Sequence, residues 1–219
     1  MKNNIFDNES KAVEWLANHG FFSVLEEKMN VHLYNLANIR LSKILNEEDI
    51  KKSRAYVRAF EIDYIAVFRE ELVNESQQKS YMGIEVKYFY KTNLENRKYH
   101  QGIGQFIEYL KWGFDYVTLV HIFDRNIEED INMLKNKIDE FKDPACELFK
   151  LLQAPPYHLP LAYVYLIVES KDKNPKSYLQ NDSLCWFPSV STQLNPFMDK
   201  DETKIIRNCL ENYVTENLK

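Results

Sequence analysis

The sequence predicts an α/β protein with a single domain. Short stretches rich in β-branched and aromatic residues alternate with amphipathic stretches of helical period along the whole chain. The 219 residues, 45% of them hydrophobic, are enough to bury a sizeable core. No internal repeat and no low-complexity linker divides them, so we expect residues 1–219 to fold together.

The first half of the chain should contain two helical regions and then two strands. ESKAVEWLANH (9–19) has an apolar helical stripe and ends at Gly20, and the apolar spacing of residues 21–50 also favours helix. RAFEIDYIAVF (58–68) and SYMGIEVKYFY (80–90) have the composition of strands. The polar stretch between them, residues 70–79, predicts a loop and therefore an antiparallel hairpin.

The second half continues the alternation of helices and strands. We expect helices over 96–113 and 126–141, strands over DYVTLVHIF (115–123) and LAYVYLIVE (161–169), and a helix at the C-terminus. Residues 171–197 are rich in Pro, Asn and Ser and should be mostly irregular.

The net charge of −5 argues against a protein that coats nucleic acid through a broad basic face. Two local runs are basic, and they are either solvated surface or a confined contact for phosphates. Their residues are Lys51, Lys52, Arg54, Arg58, Lys91, Arg97 and Lys98. With 5 glycines in the whole chain and no glycine-rich motif, a phosphate-binding loop of that type is excluded.

Several features favour a cytoplasmic protein. No apolar run approaches the length of a membrane span, and the start MKNNIFDNES lacks the apolar core of a signal peptide. The three cysteines are widely spaced and odd in number, so we expect reduced thiols rather than a disulfide framework.

The strand 80–90 places one acid and one base on the same face in apolar surroundings. Side chains two residues apart share a face of a strand, so Glu85 and Lys87 point the same way. A hairpin centred on the polar loop places Asp63 opposite Glu85, with the two Cβ atoms about 5 Å apart. Two opposed carboxylates repel, and a divalent cation would turn this repulsion into a binding site. The alternatives are a surface salt bridge, a shared proton or a solvated edge.

Four pieces in this order resemble the PD-(D/E)xK nuclease superfamily. Glu9 lies near the start of the first helix, Asp63 follows Ile62 in the position of the superfamily's motif Asp, and IEVK (84–87) supplies the E-x-K. Gln105 and Tyr109 in QFIEY form the Q-x-x-x-Y pattern of RecB-like members, and the spacing of Glu9 from Gly20-Phe21 resembles that of Holliday junction resolvases. Ile62 stands where the superfamily's name has proline.

The resemblance implies a restriction-endonuclease-like core over residues 9–123, with a central mixed β-sheet flanked by helices, extended by a strand and helices over 124–219. It implies an enzyme that hydrolyses phosphodiester bonds in DNA with Mg²⁺ or Mn²⁺, acting in repair, recombination or defence. Superfamily members are often homodimers, which is an expectation for this chain as well. The alternative is a catalytically inactive nuclease-fold protein that binds nucleic acid or a protein partner.

The resemblance also assigns a role to each residue of the motifs. Asp63, Glu85 and the main-chain carbonyl of Val86 would hold the metal, and Glu9 would hold a metal-bound water or a second ion. Lys87 would position the attacking water and stabilise the transition state. Gln105 would orient the nucleophile or a phosphate, and Tyr109 would pack beside it one helical turn later. Capping of the first helix is the alternative role for Glu9.

Overall fold

A mixed β-sheet of six strands runs through the molecule, and its strands are neighbours in the order of the sequence. Strands β1, β2 and β3 pair antiparallel, β3, β4 and β5 pair parallel, and β6 returns antiparallel to β5. The strands are β1 (Leu33–Arg40), β2 (Glu61–Glu70), β3 (Gln78–Phe89), β4 (Tyr116–Asp124), β5 (Leu161–Val168) and β6 (Leu184–Trp186).

Helices cover both faces of the sheet, which confirms the predicted α/β architecture with a central mixed sheet. The helices are α1 (Glu9–Asn18), α2 (Leu41–Ile44), α3 (Glu47–Ser53), α4 (Ile103–Lys111), α5 (Ile131–Gln153) and α6 (Asp201–Asn217). Helix α1 packs on one face, and α4, α5 and α6 pack on the other, so two separate apolar cores form. All nine residues of β4 are buried, as expected of a strand covered on both sides.

The structure is a computed structural model. It describes residues 4–19, 21–23, 26, 33–53, 61–70, 78–90, 101–155, 157–170, 184–186 and 195–217. Within these ranges it gives no description of the side chains at 33–38, 41–42, 50, 52–53, 68–70, 78–79, 106 and 184–186.

The helical prediction for residues 21–50 is wrong in its central part. Residues Leu33–Arg40 form β1, which pairs with β2 from Leu33 opposite Phe68 to Arg40 opposite Glu61. The backbone hydrogen bonds that β2 offers along its outer edge outweigh the helix-like spacing of the apolar residues, because local spacing is a weaker determinant than tertiary pairing. Helix is confined to α2 and α3 in the part of 33–53 that follows β1.

The other elements differ from the prediction mainly at their ends. The helix expected over 126–141 begins later and runs longer, over Ile131–Gln153, with Pro144 inside it. The Asp130 carboxylate caps it by accepting hydrogen bonds from the backbone N–H groups of Asn132 and Met133. The stretch predicted as mostly irregular contains the short strand β6.

Cys146, in α5, is disulfide-bonded, whereas Cys209, in α6, is free. The expectation of reduced thiols throughout is therefore wrong for Cys146. Among the described residues, no helix combines the length and the apolarity needed to cross a membrane.

Candidate active site

The candidate site lies where β2 separates from β3. The hairpin register predicted from the sequence is confirmed from Glu70 opposite Gln78 to Tyr64 opposite Ile84. The pairing ends there, one residue short of Asp63 and Glu85, while β2 stays paired with β1 as far as Glu61. The first three residues of β2 are thus separated from β3, beginning at the point where two opposed carboxylates would repel each other.

Two acidic side chains take the place of β2 along this edge of β3. The Asp63 carboxylate accepts a hydrogen bond from the Val86 N–H at 2.7 Å, and the Glu9 carboxylate accepts one from the Tyr88 N–H at 3.2 Å. Alternate N–H groups of a strand point to the same side, so both acids cap donors that an adjacent strand would otherwise use. The sequence-predicted residues Glu9 and Asp63 therefore meet at one strand edge.

The ammonium of Lys87 joins Glu9 to Glu85. Lys87 Nζ lies 2.5 Å from Glu85 Oε1 and 3.0 Å from Glu9 Oε1. The Glu85 side chain is 1% exposed, that of Lys87 13% and that of Glu9 31%, so the cluster opens to solvent on the Glu9 side. The E-x-K motif thus forms a largely buried ion pair with a second acid at its rim, rather than an exposed salt bridge.

Among the residues that the structure describes, the charges of this cluster are unbalanced, because three carboxylates adjoin one ammonium. Burial, and then the charge of Glu85, hold the pKa of Asp63 well above its usual range. Burial also raises the pKa of Glu85, although Lys87 and Tyr109 act in the opposite direction. Burial alone would lower the pKa of Lys87, but Glu85 and Glu9 outweigh it and the pKa is raised, so Lys87 stays protonated at neutral pH.

Helix α4 contributes Tyr109 to the site but does not bring Gln105 into it. The Tyr109 hydroxyl donates a hydrogen bond to Glu85 Oε2 and lies 3.4 Å from the Glu61 carbonyl oxygen. The Tyr109 ring packs directly on Gly83, where a Cβ atom would lie 2.7 Å from it. Gln105 lies one turn earlier on α4 and is partly exposed, and no hydrogen bond joins its side chain to the described residues of the site.

We expect Tyr109→Phe to raise the pKa of Glu85 further, because the Tyr109 hydroxyl stabilises the ionised carboxylate. The variant should also lose about 1–3 kcal/mol of unfolding free energy at neutral pH, the cost of a hydrogen bond to a charged group. Carbon-detected NMR titration of the Glu85 carboxyl group measures the first effect. An unchanged titration curve would contradict the hydrogen bond. The double variant Glu85→Gln/Tyr109→Phe lacks the Glu85 carboxyl group and therefore identifies its NMR signal.

The turn before α4 closes over the stems of Glu85 and Lys87. Gly102 has φ +89°, and a Cβ atom there would lie 2.6 Å from Leu119 Cδ1 and 3.4 Å from the Cγ atoms of Glu85 and Lys87. His121, beside Lys87 on the neighbouring strand β4, lies with Nε2 3.3 Å from the Gln101 carbonyl oxygen. This contact fixes the turn against the sheet.

The packing of Gly102 in this turn can be tested by substitution, with Gly104, two residues later, as the control. Gly102→Ala is expected to destabilise the fold by about 1–3 kcal/mol, because the added methyl group is strained at this φ and overlaps Leu119. Gly104→Ala should be neutral or stabilise by about 0.5–1 kcal/mol, because Gly104 is helical with no atom within 4 Å of an added Cβ. Urea unfolding of both variants tests this, and equal midpoints would contradict the close packing of Gly102.

No group of three or more His, Cys, Asp or Glu side chains among the described residues is arranged to hold a metal ion. The Glu9 oxygens contact Lys87 and the Tyr88 N–H. The ligand set of Asp63, Glu85, the Val86 carbonyl and Glu9 stays a prediction. Mg²⁺ is often bound by one or two protein carboxylates and keeps several water ligands, so Asp63 and Glu85 would be enough carboxylates for this ion.

The structure leaves most of the predicted basic contact untested. Lys51, in α3, is exposed. Lys52 also lies in α3, but its side chain is outside the described part of the chain, as are the residues Arg54, Arg58, Lys91, Arg97 and Lys98.

Sequence reasoning missed three contributors to this site. Gly102 and the buried pair His121–Tyr163, in which Tyr163 Oη lies 3.0 Å from His121 Nδ1, hold the turn above the carboxylates. Gly102 is the signal that was present in the sequence, since glycine is the residue that adopts a positive φ without strain. No protein-family model, curated protein or solved structure matches this chain.

Proposed function

We propose that the protein is a metal-dependent nuclease that hydrolyses phosphodiester bonds in DNA, built on a restriction-endonuclease-like core. The observation that carries the proposal is the convergence of Glu9, Asp63, Glu85 and Lys87 at one strand edge. These residues come from three elements separated along the chain, and the E-x-K alone would not require the other two acids to be there.

The donor set of the site suits a hard divalent cation. Asp63 and Glu85 supply carboxylate oxygens at a place where burial, and then the charge of Glu85, raise the pKa of Asp63. Asp63, Glu85 and the Val86 carbonyl would hold the ion. Bound there, Mg²⁺ or Mn²⁺ would lower the pKa of a coordinated water and offset negative charge on the scissile phosphate.

Among the described residues, Lys87 supplies the positive charge that the protein itself, rather than the metal ion, contributes to the site. Its ammonium is held between Glu85 and Glu9, and its raised pKa keeps it charged at neutral pH. In this position it can orient the attacking water and stabilise charge that develops on the phosphate oxygens. Glu9, at the exposed rim, keeps the ammonium directed toward the strand edge rather than into the core.

The exposure of the side chains supports an approach of DNA from the Glu9 side of the cluster. Glu85 is sealed beneath Tyr109 and the Gly102 turn, whereas Lys87 and Glu9 retain exposed surface. A phosphate would therefore reach the site over Lys87. The basic residues predicted from the sequence would supply the sequence-independent part of the affinity, which should fall steeply as salt is raised.

A cleavage assay with labelled single-stranded, duplex and branched DNA, in Mg²⁺, Mn²⁺ or EDTA, tests the proposal. We expect cleavage in either metal and none in EDTA. Asp63→Asn and Glu85→Gln, which keep the shape of each side chain, should abolish it. Cleavage that survives both substitutions comes from a contaminant and refutes the proposal, and DNA binding without cleavage would favour the inactive nuclease-fold alternative.

A further inference from the structure

Asp124, at the end of β4, is a fully buried acid outside the cluster just described. Its carboxylate accepts three hydrogen bonds: from the Ile5 N–H at 2.7 Å, from the Asn126 N–H at 2.7 Å, and from the Tyr88 hydroxyl. All three donors are neutral. A buried carboxylate with neutral donors is costly and is kept where several directed bonds must be made at one point.

The bonds of Asp124 and Tyr88 fasten the segment that leads into α1. Asp124 holds the backbone of Ile5, and the Tyr88 hydroxyl accepts a hydrogen bond from the Phe6 N–H at 3.1 Å. The Phe6 ring packs edge-on against the Tyr88 ring, with a centroid distance of 5.3 Å. Two consecutive residues are thereby fixed to the sheet just before α1 begins at Glu9.

Tyr88 contacts this segment in two separate ways. Its side chain points to the α1 face and binds Phe6 and Asp124, while its backbone N–H donates to the Glu9 carboxylate at the open strand edge. Lys87, the preceding residue, points to the other face and reaches the same Glu9 carboxylate. The position of Glu9 therefore depends on where Tyr88 and Asp124 hold the start of α1.

We propose that Tyr88 and Asp124 form a positioning pair that places Glu9 against Lys87. Neither touches the reacting atoms, so both act through Glu9. The consequence for cleavage rests on the proposed function, whereas the placement of Glu9 does not.

Amide hydrogen exchange of the full-length, metal-free protein tests the placement directly. Tyr88→Phe keeps the ring and removes both hydroxyl hydrogen bonds. We expect exchange at the residue-88 amide to accelerate by about tenfold or more, because its Glu9 acceptor is released. The Val86 amide, which Asp63 caps, should keep its wild-type rate. Equal acceleration at both amides, or none at residue 88, would overturn the proposal.

A matched control and a second variant distinguish the release of Glu9 from an overall loss of stability, which would speed exchange at many amides. Tyr116→Phe removes a hydroxyl from a buried tyrosine of the same apolar core at the other end of the sheet, and should leave the residue-88 amide unchanged. Asp124→Asn, which replaces an acceptor oxygen by an amide donor, should reproduce the effect of Tyr88→Phe. If Asp124→Asn leaves the residue-88 amide protected, the pair does not position Glu9.

A double-mutant cycle then connects the pair to catalysis. Glu9→Gln and Tyr88→Phe should lower the cleavage rate by similar factors, and the double variant should be no slower than Glu9→Gln alone. Additive losses would overturn the proposal, because they mean that Tyr88 acts without Glu9. A wild-type protein that cleaves no DNA would refute the nuclease proposal alone, and hydrogen exchange would then decide the placement by itself.

Discussion

Replacing Lys87 by methionine is expected to abolish cleavage and to destabilise the fold at the same time. The substitution leaves the Glu85 carboxylate, 1% exposed, without the ammonium that lies 2.5 Å from it. Breaking a buried ion pair by removing one partner costs about 3–5 kcal/mol. If the protein is the nuclease proposed above, loss of this positive charge is expected to lower the cleavage rate by about 10²–10³-fold. Urea unfolding and single-turnover cleavage measure the two effects separately.

The double variant Glu85→Gln/Lys87→Met separates stability from catalysis. With the carboxylate neutralised, most of the lost stability should return, while cleavage should stay absent.

The loss of unfolding free energy caused by Lys87→Met alone should also depend on pH. Lys87 lowers the pKa of Glu85, so removing it raises that pKa further above the usual 4.5, and the destabilisation should shrink as the pH falls through the raised value. A pH-independent loss would show that packing, not charge, is responsible.

The hairpin at the centre of the site could be predicted from the sequence because its signals are local. Alternation along RAFEIDYIAVF and SYMGIEVKYFY fixes which residues share a face, and the polar loop fixes the register, which the structure confirms from Tyr64 opposite Ile84 outward. Strand β1 was missed for the opposite reason. What makes Leu33–Arg40 a strand is the outer edge of β2, a partner far along the chain that its own apolar spacing does not reveal.

The site was predictable in its residue types but not in its connections. Asp63, Glu85 and Lys87 could be placed together by strand arithmetic, since a carboxylate opposite an E-x-K is visible in the sequence. That the strands separate there, so that Asp63 caps a backbone amide instead of standing opposite Glu85, depends on the balance between repulsion and pairing. The contact of Glu9 with Lys87 depends on how α1 docks, which no local pattern encodes.

Asp63→Asn is expected to stabilise the metal-free protein at neutral pH while it removes metal binding and cleavage. Asparagine keeps an oxygen for the Val86 N–H and eliminates a partly buried charge that Glu85 repels. Each unit by which folding raises the pKa of a carboxyl group makes its ionised form cost ~1.4 kcal/mol of unfolding free energy. A stability gain equivalent to one pKa unit would raise Tm by roughly 3–6 °C for a chain of this size. Loss of a metal-binding carboxylate should lower cleavage by more than about 10²-fold.

The sign of the effect follows from linkage. The pKa of Asp63 is higher in the folded state than its ordinary value of 3.8, so the folded protein holds the proton more tightly, and this stabilisation is present below pH 3.8 and lost as the pH rises through the folded pKa. Above that pKa the ionised side chain is a net cost, which asparagine avoids. The advantage of Asp63→Asn should therefore be largest at neutral pH and disappear in acid.

Thermal unfolding with and without Mg²⁺ gives the deciding measurement. Wild type should gain Tm as Mg²⁺ is added, because an ion that binds only the folded state stabilises it in proportion to ln(1 + [Mg²⁺]/Kd), and Asp63→Asn should not respond. Asp63→Ala is the control, since it removes the charge together with the acceptor of the Val86 N–H and should lose about 1–3 kcal/mol relative to Asp63→Asn. If Asp63→Asn is less stable than wild type in EDTA at neutral pH, the Asp63 carboxylate stabilises the metal-free fold. Its presence is then explained by structure, and charge repulsion no longer supports a metal site there.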